Sequence, residues 1–85
     1  LSDSLDNAKK KLVDLIGEKN KLGLTDYKTF ANTIKAQGYS NEEVKTAVIN
    51  LNSIMMSKIA SLEMKVQYQV HIIEEIEKEI IKSKG

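Results

Sequence analysis

The residues best equipped for chemistry are His71 and the two glutamates just after it, Glu74 and Glu75. Spacings of three and four residues bring side chains to one side of a helix, so these three could approach a single cation. A metal centre takes three or four ligands in a closed geometry. His71 is the one histidine and there is no cysteine. A single chain is therefore short of ligands, and a polar, solvated helix face is the better reading. No metal and no other cofactor is expected. Catalysis would need a nucleophile beside a base, or an acid and base converging in a pocket. No such pair can be named, and the glycines at 17, 23, 38 and 85 are too far apart to form a phosphate-cradling loop. The chain reads as a non-enzyme.

Two further charged clusters suggest solvation more than chemistry. Lys9, Lys10 and Lys11 are adjacent and read as an exposed face. Glu74, Glu75, Glu77 and Glu79, interleaved with Lys78, Lys82 and Lys84, read as a solvated helix end with i, i+4 pairs. The formal charge is +1, and all thirteen basic residues are lysine. Arginine is the residue suited to bidentate contact with guanine and phosphate, so its absence weighs against sequence-specific DNA reading.

What carries such side chains is helical. Among 85 residues there is no proline, and 41% are apolar with few aromatics. That composition predicts an all-α domain. Ser2 or Ser4 can cap a first helix over about residues 3–22, in which Leu5, Ala8, Leu12, Leu15 and Ile16 form the apolar face. Gly17 within it suggests a close neighbour or a bend, and Gly23 a left-handed stop. Thr25 is the expected cap of a second helix, about 26–37, whose Tyr27, Phe30, Ala31 and Ile34 plug the core before Gly38 ends it. Tyr27 has a binding role as its alternative. Ser40-Asn41-Glu42-Glu43 is a capping box, with Tyr39 and Val44 placed as a hydrophobic staple. It opens a third helix, about 41–83. Asn50-Leu51-Asn52-Ser53 is the one place where this helix could break, and the apolar phase passes through it unshifted.

That phase is the strongest pattern in the chain. Val44, Val48 and Leu51 recur eleven residues on as Met55, Ile59 and Leu62, then as Val66, Val70 and Ile73, then as Glu77 and Ile81. A period of eleven gives about 3.67 residues per turn, near the natural winding of a straight helix. Leu51, Met55, Ile59, Leu62, Val66, Val70 and Ile73 are the expected inner line. Ile49, Met56, Ala60 and Met64 fall roughly opposite it, with Tyr68 nearby, and no charged residue occurs between Thr46 and Ser57. A helix apolar on two sides is usually buried on two sides. These five residues are the candidate partner-binding set. At about 1.5 Å per residue, a third helix of about 60 Å outruns helices of roughly 30 Å and under 20 Å unless those two stack end to end along it.

The fold class expected is all-α: one domain over residues 1–85, a three-helix bundle or helical hairpin with one long C-terminal helix, oligomeric through that helix. Its expected role is noncatalytic binding of a protein partner or of itself. A helix-turn-helix regulator is the alternative, weakened because Glu42 and Glu43 would face phosphates at the start of its recognition helix. No run is long enough to span a membrane. The chain starts at Leu1, which reads as a processed product or excised fragment that has lost any targeting segment. Lack of cysteine leaves both oxidising and reducing compartments open, so no location is assigned.

One likeness can be named. Leu5 with Ala8-Lys9, Gly23-Leu24-Thr25-Asp26-Tyr27, and Glu43-Val44-Lys45 resemble the albumin-binding GA-type three-helix modules of Gram-positive surface proteins. The resemblance spans residues 5–51, departs in a longer second turn, and leaves the C-terminal extension without a counterpart. It implies a three-helix module that binds a host serum protein through helix two and its flanks.

Overall fold

The computed structural model describes residues 2–84, with side chains described from Asp3. Three helices follow in order: α1, Ser2–Gly23; α2, Tyr27–Ala36; and α3, Asn41–Lys84. Among the described residues there is no strand. The molecule is a rod of 67 × 16 × 11 Å with a radius of gyration of 19.8 Å, where a compact chain of this length would give about 12 Å. Its long axis is the length of α3, 44 residues at about 1.5 Å each. α3 runs unbroken through Asn50–Ser53.

α1 and α2 lie end to end along α3 and pack on it separately, sharing no packing face of their own. This is the helical hairpin, a long helix clasped by a broken one. Gln69 donates to the Ala8 carbonyl and Lys19 meets Glu63, so α1 runs antiparallel to the C-terminal half of α3. α2 continues in the same direction over the N-terminal half. α1 and α2 are displaced along the rod, so the three helices do not all pack on one another.

The connections explain this arrangement. α1 ends in tight i→i−3 bonds, Leu24 N–H to Lys21 and Thr25 N–H to Leu22. Gly23 stays out of the left-handed region, so the expected glycine stop is replaced by this tightened last turn. Thr25 does not cap α2. Its hydroxyl donates to Leu22 O at 2.6 Å. Asp26 caps instead, accepting from Thr29 N–H at 3.0 Å and from the Thr29 hydroxyl at 2.7 Å. A carboxylate is the better cap because its charge also meets the positive end of the helix dipole. Gly38, at φ 96°, supplies the left-handed residue after α2. The capping box of α3 is formed in both directions, with Ser40 N–H to Glu43 at 3.0 Å and Glu43 N–H to Ser40 Oγ at 3.2 Å. As for α1, the Ser2 cap lies outside the described side chains, and Ser4 sits within the helix.

Burial follows a line that the eleven-residue period only partly describes. It holds from Val44 to Leu62. Beyond Ile59 the covered line runs through Leu62, Val66, Gln69, Ile73, Ile76 and Ile80, spaced alternately by three and four, with Ile72 half-covered beside it. Gln69 replaces Val70 in the inner line, 3% exposed against 38%. Glu77 and Ile81 likewise give way to Ile76 and Ile80, and Ile81 is 70% exposed. The cause lies in α1, whose covered residues Leu5, Ala8, Leu12, Leu15, Lys19 and Leu22 also alternate by three and four. Such spacing makes a seven-residue seam, and α1 imposes it on the half of α3 that it covers. Ile16 therefore turns outward and Lys19 takes the place on the seam.

Candidate functional site

The site predicted from the sequence is the back of α3, and the structure leaves it open. Ile49, Met56, Ala60, Met64 and Tyr68 are all exposed, Met56 at 56% and Met64 at 73%. They do not form one straight face. From Met56 to Tyr68 the steps are of four residues, and each carries the stripe about 40° round the helix. The row starts on the side away from α1 and α2 and drifts toward α1. At its end Met64 and Tyr68 border an open groove of about 550 Å³ with Lys11, Leu15 and Glu18 of α1. Ile49 and Met56, seven residues apart, stay one above the other outside that groove.

A second groove of about 550 Å³ lies at the turn end, lined by Ile34 of α2, Gln37 and Tyr39 of the turn, and Glu42, Glu43 and Asn50 of α3. Tyr27, Phe30, Ala31 and Ile34 face α3 but none is buried. α2 is thus a half-covered clasp and not the expected plug. Tyr39 stays 51% exposed, so the staple seals the turn only loosely.

Two acids open α3, with Lys35 and Lys45 in the same stretch. Glu42 and Glu43 are exposed in the first turn of α3. Hydrogen bonds from the Ser40 backbone N–H and then its hydroxyl hold Glu43 below its ordinary pKa. Asp26 is lowered likewise by the Thr29 N–H and then the Thr29 hydroxyl. Both carboxylates therefore keep their charge to lower pH than free ones.

His71, Glu74 and Glu75 are exposed along α3. Among the described residues no group of three histidine, cysteine or acidic side chains is placed to hold a metal ion. Lys9, Lys10 and Lys11 are exposed, as their run suggests. Ion pairs in the acidic tail are Lys78–Glu75 at 3.3 Å and Lys82–Glu79 at 4.0 Å, spaced i, i+3 and not i, i+4. Among the described residues no helix is long and apolar enough to cross a membrane.

Two polar residues at the seam between α1 and α3 do not follow from the apolar pattern of α3. Gln69 is buried and its side-chain N–H donates to Ala8 O at 3.0 Å. Lys19 pairs with Glu63 at 3.2 Å. A polar side chain at a single seam position fixes register, because any slip would leave its amide unbonded in an apolar setting. The signal was available in the three-and-four spacing of α1. No protein-family model matches this chain, and neither a curated protein nor a solved structure matches it.

Proposed function

We propose that this chain is a noncatalytic protein-association module that works through the exposed side of α3. One observation carries the reading: too little of its apolar surface is covered. The buried apolar side chains among the described residues are Ala8, Leu62 and Ile73, each still 7–8% exposed. Eleven other large apolar or aromatic side chains are exposed, Ile49, Met56, Met64 and Tyr68 among them. Burying one such side chain is worth roughly 1.5–3 kcal/mol. Methionine, flexible and polarisable, suits a surface that moulds to a partner.

A nucleic-acid role is supported less well. The recognition-helix position would begin with Glu42 and Glu43, and the hydrogen bonds that stabilise the Glu43 carboxylate keep its charge in place against phosphate.

The test is solution mass by light scattering, with far-UV circular dichroism as the control for folding. The double variant Met56→Lys, Met64→Lys is expected to lose the associated species and keep its helicity. A wild-type chain that stays at 9.5 kDa and still unfolds in one sharp, cooperative transition would overturn the reading.

A further inference from the structure

We infer that the back of α3 receives a second copy of this chain, antiparallel, with the two-fold axis at Ala60. This rests on the association reading above and names its partner. The first support is positional. Ile49, Ser53 and Met56 precede Ala60 by eleven, seven and four residues, and Met64, Gln67 and His71 follow it by four, seven and eleven. Across Ala60 the two methionines match each other, Ser53 and Gln67 match as uncharged polar residues, and Ile49 is set against His71. All seven residues are exposed, and none is an acid or a lysine. Ala60 and Ser53 are small enough for two helices to approach closely at the centre, and the two methionines flank the crossing.

The second support is charge. Eighteen residues make about five full turns, so Glu42, Ala60 and Lys78 lie on one line of the helix surface. An antiparallel copy centred on Ala60 sets Glu42 against the second copy's Lys78, and Lys45 against its Glu74. Each pair occurs twice by symmetry, four in all. A parallel copy would oppose Glu42, Lys45, Glu74 and Lys78 each to itself, four like-charge clashes. Lys78 already touches Glu75 on its own helix, but that pair is exposed, and the ammonium can serve both carboxylates.

The third support is area. The chain exposes 6558 Å². A compact monomer of its mass would expose about 5,050 Å². The excess, about 1,500 Å², is ample for the ~800 Å² per partner of a standard interface. An isologous contact uses the same face on both copies, so each copy covers the other with no further component.

Orientation and partner are tested together. The chain has no cysteine, so Asn52→Cys gives one spin-label site, exposed and off the proposed face. The expected results are twice the chain mass by light scattering and a label separation of about 25 Å, sixteen residues of axial offset plus the interhelix gap. A separation of about 10 Å would mean a parallel pair, overturning this inference and leaving the association reading intact. Ala60→Arg is expected to give monomers of unchanged helicity. Glu42→Lys with Lys45→Glu should weaken the dimer about tenfold through its four reversed pairs, and adding Glu74→Lys and Lys78→Glu should restore it. A dimer indifferent to these changes would overturn the inference. So would a wild-type monomer: with a broad, noncooperative melt it removes only the second copy, and with a sharp melt it removes the association reading as well.

Discussion

The two halves of the rod are built from the same long helix and differ in what clasps it. Along its C-terminal half α3 meets α1, 22 residues in a three-and-four seam, with Ala8, Leu62, Gln69 and Ile73 buried and an ion pair alongside. Along its N-terminal half it meets α2, ten residues of which none is buried. The first half has the makings of a core. The second is held by its caps: Asp26 on Thr29, Gly38 in the turn, and the reciprocal Ser40–Glu43 bonds. Packing and capping divide the stabilising work by location, which predicts that the ends of the rod open separately.

The largest effect should come from Leu62→Ala. Truncating a buried leucine costs about 2–5 kcal/mol, a large share of what so small a domain has. Phe30→Ala in the half-covered clasp should cost roughly 1–2 kcal/mol, and should loosen α2 while α1 stays docked. Denaturant melts, with hydrogen exchange resolved by segment, would compare them. Equal global losses would break the contrast between halves.

Next in size is Ser40→Ala, which removes the hydroxyl that accepts from Glu43 N–H, leaves the backbone N–H of residue 40 on the Glu43 carboxylate, and should cost about 1 kcal/mol. The other half of the box, Ser40 N–H to the Glu43 carboxylate, is pH-dependent. Glu43 sits below its ordinary value of 4.5 when folded, so the stabilisation is complete above that value and is lost as pH falls through the lower folded pKa. Thermal midpoints of wild type and a Glu43→Gln variant should differ at pH 7 and converge in strong acid, where Glu43 is itself neutral. A gap that stays constant would mean the box contributes without its charge.

The smallest change sharpens the comparison in the other direction. A methyl group on Gly17 would meet nothing within 4 Å, which removes the close neighbour the sequence suggested. Gly17→Ala should therefore stabilise α1 by about 1 kcal/mol. A rise in the melting midpoint checks it, and a fall would mean that α1 needs the glycine for a bend.

Local signals in the chain proved the most legible. The start of α3 at Ser40–Glu43 and the stop at Gly38 are written in four or five residues each, because caps are short-range hydrogen bonding. The long helix was also legible, since no proline or glycine interrupts residues 39–84. Gln69 was not. Its burial depends on α1 lying against residues 59–80 and bringing its own spacing, which the pattern of α3 alone could not report. Ile49, Met56, Ala60, Met64 and Tyr68 could be marked as apolar and far from the inner line. The four-residue drift that turns Met64 and Tyr68 toward α1 emerges only when α1 has a place. The cap at Asp26 over Thr25 turned on one residue of helix phase, the finest distinction a sequence offers.

Because α1 docks antiparallel on the C-terminal half of α3, Ser2 and Lys84 leave the rod at one end, with the Gln37–Ser40 turn at the other. Anything joined to either terminus would tug at the same place. Such a load peels the seam apart pair by pair, starting near Leu5 and Ile76, and never drags one helix lengthwise past the other. Mechanically the molecule is a clothes-peg: rigid along its length, easy to part at the grip.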